Sequence, residues 1–223
     1  MGEKKVIKRI VLQGQRPESE SIAAEGRAAE TRLVYLLSPA NSAGRRAKML
    51  LNPLAEFELA QRLRTTGISL GEAFSFMSAL YFRGKLAYVN AFSQHTGTIP
   101  GALVITSSRG LLRSETLVGL SELEEIAKER IVAHNPKYRD PLERDLRKLS
   151  EAMGREWRAV LLGSIATKKY IPLLLEILGE RLVVPRAFIG LGNMQRGALL
   201  LQCSRQKCEL EYVPVEYVVA RKK

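Results

Sequence analysis

Residues 155–185 read REWRAVLLGSIATKKYIPLLLEILGERLVVP, and this stretch decides the fold. Its first part is an apolar run that predicts a buried strand ending near Gly163. A helical stretch follows, in which Pro172 marks the first turn, and the apolar run over 181–185 predicts a second strand. A strand, a helix and a strand in this order predict a parallel βαβ unit.

The rest of the chain repeats this alternation. Further strands are expected over 4–14, 31–39 and 101–112, and helices over 40–67 (interrupted near Pro53), 70–95, 120–135 and 140–154. The pattern predicts an α/β three-layer sandwich with a mostly parallel central sheet and helices on both faces. The run over 198–219 predicts a C-terminal antiparallel hairpin at one edge of that sheet. We expect a single α/β domain over 1–223, in which 15–30 form a flexible loop.

Three local features refine this pattern. Ser121 followed by Glu124 predicts a capping box, and Pro141 is expected in the first turn of its helix. The aromatic residues of the helix over 70–95 are expected to belong to the core rather than to a base-stacking platform: Phe74, Phe76, Tyr81, Phe82, Tyr88 and Phe92.

The charge of the chain favours an anionic partner. There are 35 lysine and arginine residues against 23 aspartate and glutamate residues, so the net charge is +12. Residues 31–100 carry 8 basic and 3 acidic side chains (+5), and residues 151–223 carry 12 and 7 (+5), so most of the excess lies in two blocks. We therefore expect nucleic acid or a phosphorylated small molecule as the partner, with an unspecialised basic surface as the alternative.

The two cysteines and the hydropathy predict a protein of the cytoplasm. Cys203 and Cys208 match no zinc or redox spacing, so we expect both to be reduced and structural. The first residues lack the apolar core of a signal peptide, and no run reaches the roughly 18 apolar residues of a membrane span. No membrane partner is expected.

Three turns directly follow predicted core strands: SPANSAGRR (38–46), TSSRGLL (106–112) and GSIATKK (163–169). Ligands of open α/β sheets bind beyond the carboxyl ends of the strands, where free backbone N–H groups and helix dipoles favour anions. Each turn carries hydroxyls or amides and a fixed positive charge, and the connection GLGNMQRG (190–197) adds an arginine. The residues expected to bind phosphate or nucleic acid are Arg45, Arg46, Arg109, Ser164, Thr167, Lys168, Lys169 and Arg196.

Catalytic residues are harder to assign. Asn41 and Ser107 lie in these turns, where they would read a base or a sugar. His95 and His134 are the two histidines of the chain, and histidine is the side chain suited to acid or base catalysis near neutral pH. These four are the catalytic candidates. No metal motif and no cofactor motif is visible, so we expect no metal and no cofactor. A plain helix cap with solvated lysines is the alternative interpretation of GSIATKK.

One segment resembles a known family. NPKYRDPLERDLRKLSEAMGREWRAVLLGSIATKKYIPLLL (135–175) resembles bacterial uracil-DNA glycosylases, in which an Asn-Arg-Pro-type turn leads into a helix, a strand ending in Leu-Gly, a small residue and Ala, and another helix. GRRAKMLLN (44–52) is similar to the Gly-Arg-Ala-Gly helix start of the same superfamily. The likeness covers about a quarter of the chain. It implies an α/β scaffold that approaches DNA, and hence DNA rather than RNA as the partner.

The chain departs from that superfamily at its catalytic motifs. LSPANSAG (37–44) stands where the superfamily has a Gly-(Glu/Asp)-x-Pro-Gly turn, so no acid is present there to orient a water. GLGNMQRGALLL (190–201) stands where the superfamily has a late His-Pro-Ser loop. Whether the protein breaks a bond is therefore left open.

Three functions compete at this point. The first is a nucleic-acid-binding protein of glycosylase-like architecture that acts on a base or nucleotide. The second is a small-molecule enzyme that binds a nucleotide or sugar phosphate at the carboxyl edge of the sheet. The third is a non-catalytic interaction protein.

Overall fold

The computed structural model describes residues 31–93, 99–165 and 167–220, except for the side chains of residues 219 and 220. The predicted strand over 4–14, the predicted loop over 15–30 and His95 lie outside these residues. From Thr31 onward the chain forms one compact unit. The single domain expected over 1–223 stays a prediction.

The centre of the fold is a six-stranded sheet. Its strands are β1 (Arg32–Leu37), β3 (Ala102–Ile105), β4 (Leu111–Leu112), β6 (Trp157–Leu162), β7 (Leu182–Pro185) and β8 (Tyr212–Pro214), in the spatial order β4-β3-β1-β6-β7-β8. The four inner strands are parallel, and the two edge strands run antiparallel to their neighbours. A separate antiparallel pair joins β2 (Ile68–Ser69) to β5 (Leu117–Val118).

The central strands are continuous apolar runs because helices cover both faces of the sheet. β1 and β6 pair in parallel from Arg32 with Trp157 to Leu37 with Leu162. The last four residues of each strand are buried. Strands buried on both faces lose the alternation of polar and apolar residues, which is why the sequence showed unbroken apolar runs.

Eight α-helices occur in the described ranges. They are α1 (Arg45–Leu50), α2 (Glu58–Thr65), α3 (Leu70–Phe92), α4 (Leu120–Lys128), α5 (Pro136–Ala152), α6 (Ile171–Leu178), α7 (Asn193–Gln206) and α8 (Val215–Ala220). α3 packs against α7 and α1, and α5 packs against α6. Crossovers between parallel strands are right-handed, so α3 and the α5–α6 pair lie on opposite faces of the sheet.

The predicted fold class is confirmed. The sheet is mostly parallel with helices on both faces, and β8 pairs antiparallel with β7 at the C-terminal edge. The expected aromatic core is also present, since Phe74, Tyr81, Phe82 and Tyr88 are buried and the other two aromatic residues pack against the core. In the described part of the chain, no helix is both long and apolar enough to cross a membrane.

The residues assigned to the C-terminal hairpin were wrong. The first nine residues of the run over 198–219 belong to α7, which occupies Asn193–Gln206, and only Tyr212–Pro214 form a strand. The helix starts at Gly192, whose backbone N–H donates to the side chain of Gln195. A short apolar run fits a buried helix as well as a strand, and the capping pair decides between them.

The predicted capping box of α4 and the predicted start of α5 were also wrong. α4 is capped at Gly119, whose backbone N–H donates to Glu122, so the capping box does not involve Ser121. α5 begins after Asn135, whose side-chain oxygen accepts from the backbone N–H of Lys137. Pro141 therefore lies inside α5 rather than in its first turn.

Candidate functional site

The direction in which the chain moves across the sheet reverses between β1 and β6. The chain leaves β1 toward β3 on one side and leaves β6 toward β7 on the other. Doubly wound sheets of this kind bind ligands at such a switch point, beyond the carboxyl ends of the two strands. Ser38 and Gly163 are the first residues after these strands, and the backbone N–H of Ser38 donates to the carbonyl of Leu162 at 3.2 Å.

A close helix crossing lies beside the switch point. α3 and α7 cross at Gly84 and Gly197, where a Cβ on Gly84 would lie 2.6 Å from the carbonyl oxygen of Gly197. A Cβ on Gly197 would lie 2.8 Å from the Cα of Tyr81. Both positions therefore require glycine. The crossing places Lys85 and Arg196, the residues next to these glycines in sequence, in the same buried region.

Lys85 is a buried cation that the sequence did not lead us to expect. Its side chain is 1% exposed and its Nζ donates to the carbonyl and to the hydroxyl of Ser38, at 2.8 Å each. The Nζ also lies 4.2 Å from the centre of the Tyr81 ring. Burial, together with the positive charge of Arg196, lowers the pKa of Lys85 to about 7.

Arg196 is the second buried cation of this region. It is 7% exposed, and its guanidinium donates to the carbonyls of Gly163 at 3.4 Å and Phe188 at 3.0 Å. Its Nε has no acceptor of good geometry among the described residues. The buried hydroxyl of Tyr81 lies in hydrogen-bonding contact with the Arg196 side chain, but in the same residues its own proton has no acceptor. Burial raises the pKa of Tyr81 to about 12, and the adjacent charge of Arg196 opposes the rise.

Tyr170 completes the arrangement from the turn after β6. Its hydroxyl accepts from the backbone N–H of Ser164 at 3.0 Å and also lies in hydrogen-bonding contact with Ser38. Burial raises the pKa of Tyr170. We refer to the five side chains that meet here as the switch-point cluster: Ser38, Tyr81, Lys85, Tyr170 and Arg196.

The switch-point cluster is chemically suited to hold an anion. Over the described ranges, none of the eight ion pairs of the chain includes Lys85 or Arg196. Buried cations without a counter-ion are costly, and unpartnered donors add to that cost. An anionic ligand would supply the missing charge and would accept from the free donors.

Four of the predicted phosphate-binding residues are exposed and follow the two strands of the switch point. Arg45 and Arg46 begin α1, shortly after the turn that follows β1, and both are exposed. The guanidinium of Arg46 lies 3.4 Å from the carbonyl oxygen of Phe76. Lys168 and Lys169 are exposed on the turn after β6. We refer to these four basic residues as the basic rim.

Two further predicted residues lie in the turn after β6. Ser164 is half-buried, and its backbone, rather than its hydroxyl, makes the bond to Tyr170. The hydroxyl of Thr167 accepts from the backbone N–H of Lys169 at 3.2 Å, so it shapes the turn. Arg196 is the predicted residue that belongs to the cluster itself.

The remaining candidates have other surroundings. Arg109 forms an ion pair with Glu125 at 2.5 Å, and the buried hydroxyl of Ser107 donates to the carbonyl of Ile126. Both contacts attach the turn after β3 to α4. Asn41 is exposed, with its side-chain oxygen accepting from the backbone N–H of Ala43 at 3.3 Å, and His134 is exposed between α4 and α5.

The spacing of Lys85 from two tyrosines on α3 is a sequence signal for its burial. Tyr81, Lys85 and Tyr88 are spaced by four and three residues, so they share one face of α3. A lysine on an otherwise aromatic buried face is rare unless it has a polar partner. Ser38 gave no such signal, because its contact with Lys85 depends on the packing of α3 against the sheet.

The chain matches no protein-family model, no curated protein and no solved structure. The resemblance of residues 135–175 to uracil-DNA glycosylases therefore stays a prediction. Within the described ranges, no group of three or more His, Cys, Asp or Glu side chains could hold a metal ion.

A cavity of about 660 Å³ lies near the amino ends of the parallel strands, opposite the switch point. Its lining includes Leu33 and Arg158 near the starts of β1 and β6, and Val183 near the start of β7. The switch-point rule places ligands at the other ends of these strands. The switch-point cluster and the basic rim, rather than this cavity, are therefore the candidate functional site.

Proposed function

We propose that the protein binds nucleic acid across the carboxyl edge of its parallel sheet. The proposal is supported by the exposure of the basic rim and by the strand order, because the turns that follow the neighbouring strands β1 and β6 each lead to two exposed cations. Pairs of lysine and arginine side chains neutralise successive phosphates and release their counter-ions. DNA is proposed rather than RNA because of the resemblance of residues 135–175.

The basic rim and the switch-point cluster have different roles in this proposal. Exposed lysines and arginines position a phosphate backbone without reading its sequence. The exposed amide of Asn41, on the turn after β1, is placed to contact a base or sugar of the strand held there. The cluster beneath is the candidate contact for a nucleotide unit that leaves the stack.

Fluorescence anisotropy with labelled single-stranded and duplex oligonucleotides tests the proposal. Affinity is expected to fall steeply with salt, with a slope of log affinity against log salt of about −0.9 for each duplex phosphate neutralised. The variants R45A/R46A and K168A/K169A should each weaken binding and reduce the slope by about 1 to 2.

A matched control variant removes two positive charges near the amino ends of the strands, opposite the basic rim. Lys148 lies near the end of α5 and Arg155 just before β6, and both are exposed. K148A/R155A should leave the salt slope unchanged apart from the small effect of net charge. The proposal fails if no oligonucleotide binds with salt-dependent affinity, or if the control pair weakens binding as much as the rim pairs.

Action on a base is the second part of the proposal, and it is tested separately. Duplexes that contain uracil or damaged bases are incubated with the protein, and abasic sites are revealed by alkaline strand cleavage. Formation of abasic product is the expected result. Absence of product across the substrates would leave a nucleic-acid-binding protein without base excision.

A small-molecule enzyme is the alternative function, and the buried position of the cluster favours it. Lys85 and Arg196 are nearly inaccessible, which suits a compact nucleotide or sugar phosphate. A ligand at a hundredfold excess over Kd stabilises the folded state by about 2.7 kcal/mol, which is measurable as a raised Tm. Stabilisation by mononucleotides but not by oligonucleotides would support this alternative over nucleic-acid binding.

A further inference from the structure

The switch-point cluster holds more positive charge and more hydrogen-bond donors than its own residues can satisfy. We propose that it binds one phosphate group, and that binding is coupled to the uptake of a proton by Lys85. This inference rests on the function proposed above, because it names the buried contact of that same site and adds a pH dependence to it.

The donor count points to an acceptor that is missing from the chain. A lysine ammonium has three N–H donors, and two of those on Lys85 are used by Ser38. In the described part of the chain the buried Nε of Arg196 has no acceptor of good geometry, and the phenolic proton of Tyr81 has no acceptor, although the Tyr81 oxygen lies in hydrogen-bonding contact with the Arg196 side chain. Lys85, Tyr81 and Arg196 are near enough to interact with one another, and each oxygen of a tetrahedral anion can accept more than one hydrogen bond.

The cluster is nearly closed but touches solvent. Ser38, Arg196 and Tyr81 are 6%, 7% and 8% exposed, respectively. Two neighbouring turns end at the cluster, one after β1 and one after β6. An incoming phosphate would therefore reach the cluster through the small exposed parts of Ser38, Tyr81 and Arg196.

The groups that face Lys85 determine its proton affinity. Arg196 of α7 is the charged group facing it, and its repulsion acts in the same direction as burial. The neutral phenols of Tyr81 on α3 and Tyr170 before α6 lie around the same point, with Tyr138 of α5 next to Tyr170. A bound anion would oppose both effects, so the ligand and the proton should bind cooperatively.

Calorimetric titration of the full chain tests the inference with two probes whose charge is constant from pH 6 to 9. Sulfate represents a free tetrahedral dianion, and the dinucleotide d(TpT) represents a phosphodiester. Because the pKa of Lys85 is about 7, affinity should fall about twofold from pH 6 to 7, about fivefold from 7 to 8, and nearly tenfold from 8 to 9. In buffers of different ionisation enthalpy, uptake of about 0.9 proton per ligand is expected at pH 8.

Three variants separate the role of each donor. K85M should bind at least tenfold more weakly at pH 6 and lose the pH dependence, whereas R196M should weaken binding but keep it. Y81F removes one hydroxyl with little change of shape, so it should weaken binding severalfold and keep the pH dependence. It therefore provides a test even if the other two variants fold poorly. Thermal unfolding of each variant checks that the fold is intact.

The outcomes distinguish the inference from the function on which it rests. Affinity for both probes that does not change with pH, or wild-type affinity in Y81F and K85M, would overturn the inference while rim-dependent oligonucleotide binding still stood. Absence of oligonucleotide binding with pH-dependent sulfate binding would reject nucleic acid and retain the phosphate site. Binding of d(TpT) but not sulfate would assign the site to phosphodiesters.

Discussion

Lys85 combines a binding role with a cost to stability. Its ammonium is buried among Tyr81, Phe82 and Ser38, and in the described structure no carboxylate balances its charge. Keeping a cation in such a place costs several kcal/mol unless the group loses its proton. Residues of this kind occur at functional sites more often than in ordinary cores.

The pH dependence of stability follows from the lowered pKa of Lys85. In the folded protein this pKa is about 7, whereas an unfolded lysine keeps its proton to well above pH 9. Above pH 7 the unfolded state therefore binds more protons than the folded state, so the free energy of unfolding rises with pH. Urea unfolding should show a gain of about 2 kcal/mol from pH 7 to pH 9 in the wild type. Below pH 7 both states are protonated and this contribution is constant.

Lys85→Met is the matched comparison for this prediction. The variant removes the titrating group and keeps a long side chain at the helix crossing, so its free energy of unfolding should lack this rise. The wild type should gain about 2 kcal/mol relative to the variant from pH 7 to 9. A constant difference over this range would show that Lys85 keeps its ordinary pKa in the folded protein.

At the residue scale, the sequence identifies candidate basic side chains but does not show which of them are buried. Arg196 was expected to bind phosphate from its glycine-containing connection, and it lies in the switch-point cluster. Lys85 was missed because the residues around it were read only as a core helix. Ser107 and Arg109 were selected from a turn whose side chains contact α4, and one sequence does not reveal that pairing.

The crossing of α3 and α7 is the element that assembles the cluster. Substitution of Gly197 by alanine would place a Cβ 2.8 Å from the backbone of Tyr81, so the two helices would have to separate. Overpacking of this kind costs about 1–3 kcal/mol, and we expect G197A to lose that much free energy of unfolding in urea. It should also weaken binding of any ligand held between Lys85 and Arg196.

Gly192 provides the control on the same helix. A Cβ there would lie 3.6 Å from the side-chain oxygen of Gln195, which is an ordinary contact, and its φ of −79° suits alanine. G192A should cost less than about 1 kcal/mol, because glycine at a helix N-cap is only moderately better than alanine. Equal losses in G192A and G197A would mean that the close crossing does not limit the packing of α7.

At the element scale, long segments were predicted better than short apolar ones. The periodic stretch over 70–95 and the βαβ unit over 155–185 appear as α3 and as β6, α6 and β7. The central residues of α7 are apolar and predict a hairpin, because only the pair of Gly192 and Gln195 identifies the helix start. Tertiary packing against α3 then decides between helix and strand, and that contact is not local in sequence.

At the scale of the whole molecule, the sheet topology joins the two basic blocks of the sequence. The turn after β1 belongs to residues 31–100 and the turn after β6 to residues 151–223, yet β1 and β6 are neighbours in the sheet. Charges that are far apart in sequence therefore flank one switch point. Composition predicted an anionic partner from the net charge. It could not locate the cluster, because the cluster depends on a helix crossing.

Hydrogen exchange with and without a bound oligonucleotide provides the test at this scale. If the carboxyl edge is the binding surface, backbone amides in 38–46, 163–170 and 189–196 should exchange more slowly in the complex, because these segments contain the rim and the start of α7. Amides near Arg155 and Glu180, at the amino ends of β6 and β7, should be unaffected and serve as the internal control. Protection confined to the amino ends would instead move the binding surface to the 660 Å³ cavity. Protection of both edges would indicate a general tightening of the fold, because a ligand that binds only the folded state slows every global opening.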